Sequence, residues 1–217
     1  MANILLGATG SVAAVKVPAV VAGLAAAGHA VKVVATDAAT YFFDPAPLRE
    51  ILTLDADEWP GDRYRRGDAV GHIELRKWAD LFLIAPLDAN TLAKLAVGLC
   101  DNALTCVWRA WDLSKPVILA PAMNTLMWEH PFTRKHLRAV GADFGATHVP
   151  GHLEGETLVR QINDRAKGLH VVPPISKRLA CGDVGVGAMA EVPDVISAVS
   201  QVLSATAGSA ESDPTVA

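Results

Sequence analysis

The chain has 217 residues, a formal net charge of −4, and 51% hydrophobic against 19% charged residues. This length predicts one domain, and the apolar share excludes global disorder. The acidic balance argues against a nucleic-acid binder that works by neutralising phosphates. No apolar run reaches the roughly 18 residues of a membrane span, and three cysteines are too few for a disulfide framework. A cytoplasmic location is therefore expected.

Short apolar runs alternate with longer stretches of helical period. The predicted strands are residues 3–6, 31–35, 81–85, 117–120 and 169–172. Nearly continuous apolar strands with helices between them are typical of a parallel sheet covered on both faces. We therefore predict a three-layer α/β fold, with a doubly wound, mostly parallel sheet of Rossmann or flavodoxin type. Ligands are expected at the carboxyl ends of its strands.

The predicted helices follow the same alternation, at residues 11–27, 89–97, 103–111, 131–140 and 193–204. Ser11 and Asp88 stand at N-cap positions, and Gly28, Gly98 and Gly141 follow three of the helix ends.

Three stretches read as less regular. Residues 55–68 mix eight charges with glycine and proline and predict a surface loop. Residues 148–168 are polar, and residues 205–217 predict a disordered tail. The predicted domain is therefore residues 1–204.

Small and polar residues follow the first two predicted strands. Residues 7–11 (GATGS) lead into a helix, where free amides and the helix dipole favour an anion. The motif is neither a GxGxxG fingerprint nor a Walker A loop, and a plain tight turn is the alternative. Thr36 ends the second strand, and its hydroxyl suits a phosphate.

Two further polar turns follow the third and fourth predicted strands. Residues 85–91 (APLDANT) present short polar side chains, although Asp88 alone is explained as a helix cap. In residues 121–128 (PAMNTLMW), the amide of Asn124 can donate a hydrogen bond to a carboxylate. Met123, Met127 and Trp128 suit an apolar wall around a planar ring, although such a pattern is more often core.

Histidine and cysteine residues offer further candidates. His72 supplies an imidazole for proton transfer, although a lone loop histidine is more often a surface residue. Cys181 lies in a glycine-rich stretch beside basic residues, which predicts a mobile lid or a plain linker. His148 and His152 have HxxxH spacing, but proline and glycine break any helix between them, so no metal site is expected.

Taken together, these segments resemble the flavin-dependent cysteine decarboxylase family, and within it the eukaryotic-type phosphopantothenoylcysteine decarboxylases. The resemblance covers roughly residues 3–147 and 171–204. Its most specific pieces are residues 72–112 (HIELRKWADLFLIAPLDANTLAKLAVGLCDNALTCVWRAWD), 121–133 (PAMNTLMWEHPFT) and 173–191 (PPISKRLACGDVGVGAMAE).

The resemblance assigns roles by position. It implies FMN as cofactor, held by Ser11, Val12, Ala13, Thr36, Asp88, Ala89, Asn90, Thr91 and Ala122. It implies substrate binding by Asn124, Arg178, Ala180 and Met189, with His72 as catalytic base and Cys181 as the acid that protonates the product.

The resemblance also implies a reaction and an assembly. 4′-Phosphopantothenoylcysteine is oxidised to a thioaldehyde, loses CO2 to give an enethiolate, and is reduced again to 4′-phosphopantetheine on the route to coenzyme A. Members of the family are homotrimers or multiples of trimers with sites at subunit boundaries. His72 and Asn124 are therefore expected from different chains.

One departure and two rival functions accompany the resemblance. About 20 extra residues near 148–170 predict a surface insertion that leaves the chemistry alone. Related fungal proteins act as inhibitory subunits of a protein phosphatase, but they add long acidic tails, and this chain has a short one. The third reading is a peptidyl-cysteine decarboxylase or a flavin prenyltransferase, against which the KRLACGD and PAMN segments favour phosphopantothenoylcysteine.

Overall fold

The structure, a computed structural model, describes residues 1–59, 63, 65–178 and 184–210. The central sheet has six parallel strands: β1 (Asn3–Ala8), β2 (Ala30–Ala35), β3 (Leu52–Thr53), β4 (Leu81–Leu87), β5 (Val117–Pro121) and β6 (Leu169–Val171). Their order across the sheet is β3-β2-β1-β4-β5-β6. The five predicted strands are confirmed, and the short edge strand β3 is an addition.

The helices are α1 (Val17–Ala26), α2 (Asp37–Thr40), α3 (Asp55–Glu58), α4 (Gly71–Trp78), α5 (Ala89–Val97), α6 (Ala103–Arg109), α7 (Thr125–Trp128), α8 (Pro131–Asp143), α9 (Gly155–Arg165) and α10 (Val192–Ala210). Two 3₁₀ segments span Val12–Lys16 and Ala46–Leu48. Outside the main sheet, β7 (Ile175–Arg178) and β8 (Val184–Ala188) form an antiparallel pair. Among the described residues, no helix is long and apolar enough to cross a bilayer.

Alternate residues of the buried strands face two separate apolar cores, because successive side chains of a strand point to opposite faces. In β1, Leu5 packs in the core that α4, α5, α6, α8 and α9 cover. Ile4 and Leu6 pack in the core on the other face, with α1 and α10. The predicted three-layer α/β fold with helices on both faces is therefore confirmed.

The chain builds the sheet outward from its middle in two directions. From β1 it proceeds through β2 to β3, and then returns to place β4 on the other side of β1. This reversal leaves a crevice between the carboxyl ends of β1 and β4, where connections leave toward opposite faces. The crevice contains the GATGS and APLDANT turns.

Two helix predictions need correction in their bounds. The predicted helix over residues 11–27 is a 3₁₀ segment, Val12–Lys16, followed by α1, which begins next to Pro18. Gly141 lies inside α8 rather than after it. A Cβ at Gly141 would lie 3.0 Å from Ile162 Cγ2, so this glycine allows α8 and α9 to pack closely.

The three stretches predicted to be irregular are partly helical. Residues 55–68 contain α3, in which Glu58 is buried, so the predicted surface loop is wrong there. In the predicted insertion near 148–170, α9 buries Leu158, Val159 and Ile162 against the sheet core. The polar face of α9 explains the misreading, since only one stripe of it is apolar. The last helix, α10, continues to Ala210 through the start of the predicted tail.

Candidate functional site

Thr9 joins the two strands that flank the crevice. Its hydroxyl donates to the carbonyl oxygen of Pro86 at 2.8 Å and accepts from the backbone N–H of Asp88 at 2.7 Å. Its own N–H donates to the same Pro86 oxygen at 3.2 Å. Thr9 is fully buried, so these bonds are shielded from water. They fix the ends of β1 and β4 relative to each other.

The turn after β1 is closely packed against the start of α2. A Cβ at Gly10 would lie 2.7 Å from Ala38 Cβ, so only glycine fits here without displacing α2. Ser11 then caps the 3₁₀ segment Val12–Lys16, with its Oγ accepting from Ala13 N at 3.3 Å. The predicted N-cap at Ser11 is confirmed.

Asp88 begins α5 on the opposite wall of the crevice. Its Oδ1 accepts the N–H of Thr91 at 2.7 Å, which confirms the predicted cap. The helix ends at Gly98, whose left-handed conformation also confirms the prediction. Ala89 and Asn90, the first residues of α5, therefore lie at a fixed helix N-terminus beside the GATGS turn.

A third wall comes from the turn after β5 and from the β7/β8 pair. Asn124 caps α7, with Oδ1 accepting from Leu126 N at 2.9 Å. The preceding Met123 N–H donates to the carbonyl oxygen of Gly187 in β8 at 2.9 Å. Gly187 has φ +151, and any Cβ there would run into the Met123 carbonyl oxygen. Glycine at this position therefore lets β8 lie directly on the turn.

These walls enclose a cavity of about 480 Å³. Its volume is in the range of sites that take a cofactor-sized ligand. Its lining includes the predicted residues Ser11, Val12, Ala13, Asp88, Ala89, Asn90, Ala122, Asn124, Arg178 and Met189. Met123 and Met127 also line it, as the predicted apolar wall requires, whereas Trp128 is buried in the sheet core.

Three predicted site residues that the structure describes are not part of this lining. Thr36 and Thr91 are buried, with Thr36 at the end of β2 and Thr91 in the first turn of α5, and neither is among the lining residues. His72 lies on α4 and is not among the lining residues either. Ala180 and Cys181, predicted as substrate-binding residue and proton donor, lie outside the described residues.

The crevice fits the FMN that the resemblance implies. The Oγ1 of Thr36 is buried and has no hydrogen-bond partner among the described residues, which is unusual for a buried hydroxyl. Thr36 directly follows β2, and its N–H donates to Ala8 at the end of β1. An unsatisfied hydroxyl beside a tight glycine turn and a 3₁₀ N-terminus suits a phosphate, and the apolar cavity walls suit a planar ring.

Lys16 and Lys177 also line the cavity and share one partner, Glu191. Its two carboxylate oxygens each accept from one ammonium at 2.9 Å. The two hydrogen bonds, that of Lys177 foremost and then that of Lys16, lower the pKa of Glu191 to about 2. Glu191 thereby ties the 3₁₀ segment on one wall to β7 on the other.

His72 is held by a carboxylate that sequence reasoning missed. At the N-terminus of α4, Oε2 of Glu58 in α3 accepts the backbone N–H of His72, and Oε1 contacts Nδ1 of the His72 ring. The pair is 14 residues apart in a stretch that reads as a charged loop, so no periodicity pointed to it. Thr9, by contrast, lies within the GATGS motif, but only Ser11 of that motif was predicted as a site residue.

The thiol of Cys106 shows no sign of activation. Burial raises the pKa of the Cys106 thiol in α6 to about 11, and neighbouring Cys100 and acidic groups add to the rise. A thiol of this kind stays protonated and weakly nucleophilic near neutral pH. Among the described residues, no group of three or more His, Cys, Asp or Glu side chains is arranged to hold a metal ion.

A model of the flavoprotein family matches residues 1–204. The chain belongs to the flavoprotein family. Phosphopantothenoylcysteine decarboxylase of Mus musculus is 47% identical to it over 203 residues, which cover 93% of this flavoprotein and 87% of the relative. The enzyme of the same name from Oryza sativa subsp. japonica is 48% identical over 196 residues, covering 89% and 77%.

Solved structures agree with this placement of the flavoprotein. A cysteine-to-serine mutant of a PPC decarboxylase complexed with pantothenoylaminoethenethiol superposes with a TM-score of 0.75 at 43% identity, covering 94% of this chain and 98% of that one. The FMN binding protein AtHal3 superposes with a TM-score of 0.73, also at 43% identity, covering 94% and 97%.

The ion pairs of Glu191 with Lys16 and Lys177 predict a defined response to pH. Because the pKa of Glu191 is lowered in the folded state, both ion pairs are intact above the usual carboxyl value of 4.5 and are lost as the pH falls toward 2. At about pH 3, the Glu191 carboxyl should therefore remain ionised in the wild-type protein. The substitution Lys177→Met removes the larger cause and should raise this pKa, as followed by ¹³C NMR of the carboxyl carbon.

The control is Lys167→Met, because the Lys167 ammonium makes no ion pair within the described part of the chain. It should leave the titration unchanged. A wild-type Glu191 that is already half protonated near 4.5, or a titration that Lys177→Met does not move, would contradict this account of the cavity walls.

Proposed function

We propose that this flavoprotein uses FMN to decarboxylate 4′-phosphopantothenoylcysteine to 4′-phosphopantetheine, a step toward coenzyme A. One observation carries the proposal. A single cavity at the β1/β4 crevice is lined by seven of the nine residues expected at FMN and by three of the four expected at the substrate. The flavoprotein family agrees with a flavin cofactor, and the names of the relatives point to the same reaction.

The residues around the cavity would bind FMN through complementary groups. Thr36 and the amides of the turn after Ser11 would hold the phosphate, and the start of α5 would lie against the ring system. When bound, FMN supplies a reversible hydride acceptor for the cysteinyl carbon, which lets the carboxylate leave without forming an unstabilised carbanion. The apolar walls at Met123, Met127 and Met189 exclude water from that step.

Substrate recognition requires charge, since the substrate carries a carboxylate and a phosphate. Arg178 and the neighbouring Lys177 present cations at the cavity, and Asn124 also lines it. Guanidinium groups bind such anions through paired N–H donors. Cys181 stays the predicted proton donor of the final step. Three relatives with HAL3 in their names also carry the name of the decarboxylase, and no observation favours the phosphatase-subunit or peptide-substrate alternatives.

We further propose a cytoplasmic homotrimer, or a multiple of trimers, with sites at the subunit boundaries. Within one chain, His72 does not line the cavity that Asn124 lines. A neighbouring subunit that supplies His72 would resolve this separation, since cyclic assemblies repeat one such boundary at each interface. Exposed apolar side chains on α7 and β8, Leu126, Met127 and Val184, suit burial between subunits.

Purification of the protein tests the proposed function. It should carry a flavin spectrum, or acquire one with FMN, and release CO2 from 4′-phosphopantothenoylcysteine. A peptide with a C-terminal cysteine serves as the matched substrate control and should not react. A protein that cannot be reconstituted with FMN, or one that decarboxylates only the peptide, would refute the assignment.

Mixed oligomers test the shared site. His72→Asn and Asn124→Asp proteins should each bind FMN and lack decarboxylation activity. After dissociation, mixing in equal amounts and reassembly, roughly one boundary in four should contain both native side chains, and activity should return in that proportion. Two inactive parents whose mixture stays inactive, although mass spectrometry shows mixed oligomers, would place His72 and Asn124 in the same subunit's site.

A further inference from the structure

The carboxylate of Glu58 is buried against His72. Its side chain is 3% exposed, in a chain where acidic side chains are otherwise mostly at the surface. Oε2 accepts the backbone N–H of His72 at 2.8 Å, and Oε1 contacts Nδ1 of the imidazole. Buried carboxylates are costly unless each oxygen is paired, and here both are. One side chain thus holds the backbone and the ring of the same residue.

The helix that carries Glu58 is anchored from two sides. Asp57 of α3 accepts the N–H of Leu54 at 2.8 Å and pairs with Arg49. Asp55 accepts the N–H of Ala103, the first residue of α6, at 2.8 Å. Each anchor lies on a different neighbour of the four-residue helix. The position of the Glu58 carboxylate is therefore set by the fold rather than by His72 alone.

The backbone at the start of α4 lies in close contact with the Glu58 carboxylate. A Cβ at Gly71 would lie 2.8 Å from Glu58 Oε2, so glycine is what allows the carboxylate to reach the first turn of α4. Val70, the N-cap residue, provides no side-chain cap, and Glu58 satisfies the His72 N–H in its place. The same carboxylate also complements the positive end of the helix dipole.

We infer that Glu58 is a positioning residue that holds the His72 imidazole with its proton on Nδ1 and with Nε2 left to act as the base. A carboxylate only accepts hydrogen bonds, so the neutral ring must present N–H at Nδ1 to Glu58. Nε2 has no hydrogen-bond partner among the described residues, and the side chain is 24% exposed, which leaves it within reach of a ligand. The catalytic part of this inference rests on the proposed function.

The substitution Glu58→Gln tests the inference because it keeps the shape of the side chain and replaces one acceptor oxygen with an N–H donor. The amide oxygen can still accept the His72 backbone N–H, and the amide nitrogen then donates to Nδ1. The neutral ring must consequently carry its proton on Nε2, where it can no longer act as a base. In ¹⁵N-histidine NMR spectra of the FMN-loaded protein, wild-type His72 should show the Nδ1–H tautomer and the variant the Nε2–H tautomer.

The kinetic consequence should fall on turnover rather than on binding. Loss of a correctly oriented base typically removes about 10²-fold or more of rate, so kcat of Glu58→Gln should fall by about that factor. KM should change by less than about threefold, since Glu58 does not line the cavity. If wild-type protein does not decarboxylate the substrate at all, the proposed function fails, while the NMR comparison still decides the state of the ring.

Two further variants separate positioning from stability. Asp57→Asn weakens the cap of α3 but keeps the Glu58 carboxylate, so the tautomer and kcat should stay near wild type even if the melting temperature falls. Gly71→Ala displaces the carboxylate without removing it, and should shift His72 toward the Nε2–H tautomer and lower kcat.

The inference is overturned if wild-type His72 carries its proton on Nε2, or if Glu58→Gln leaves the tautomer unchanged. It is equally overturned if Asp57→Asn produces the same tautomer change as Glu58→Gln, since loosening of α3 would then be the cause. A tautomer change in Glu58→Gln without a fall in kcat would remove the catalytic part.

Discussion

The buried hydroxyl of Thr9 sets the geometry on which the cavity depends. Two parallel strands whose connections leave toward opposite faces have no further ladder bonds beyond their last paired residues, Gly7 and Ile84. Thr9 continues the link, with one hydroxyl hydrogen bond donated to β4 and one accepted from the start of α5. The GATGS turn and the α5 N-terminus therefore keep a fixed spacing, which a ligand that spans both requires.

The other walls depend on close approach of backbones. Gly10 lets the first turn meet α2, and Gly187 lets β8 lie on the turn after β5. Each contact brings main-chain groups, rather than long side chains, to the cavity surface. This explains how a chain with few aromatic residues, 6% of the total, encloses a large apolar site. Methionine and alanine side chains supply the apolar surface instead.

The sequence predicted the parts of the fold that are dictated by burial. Strands such as β4, which is buried at every residue, are unbroken apolar runs in the sequence. The helix α5 was predicted together with its N-cap and the glycine that ends it. Elements with a narrow apolar stripe escaped detection, as α9 did. The short α3 was missed because three of its four residues are acidic, a composition that resembles a solvated loop until Glu58 is seen to be buried.

The candidate site, like the fold, could be predicted only in part. Residues at strand ends could be assigned from the resemblance, and most of them meet in one cavity. Contacts that join distant segments, Thr9 with Pro86 or Glu58 with His72, depend on the folded arrangement and leave no local pattern. Side chains that orient the site thus lay beyond sequence reasoning, whereas side chains that form its surface did not.

The most direct test of this account is FMN affinity in the Thr9→Val protein, measured by quenching of flavin fluorescence. Valine keeps the shape but leaves the Asp88 N–H unpaired, a defect that typically costs about 1–3 kcal/mol. The matched control is Thr105→Val, which removes a fully buried hydroxyl from the cap of α6, outside the cavity lining. The account predicts that Thr9→Val weakens FMN binding about tenfold or more while Thr105→Val leaves it near wild type. Equal affinity in Thr9→Val and wild type would contradict it.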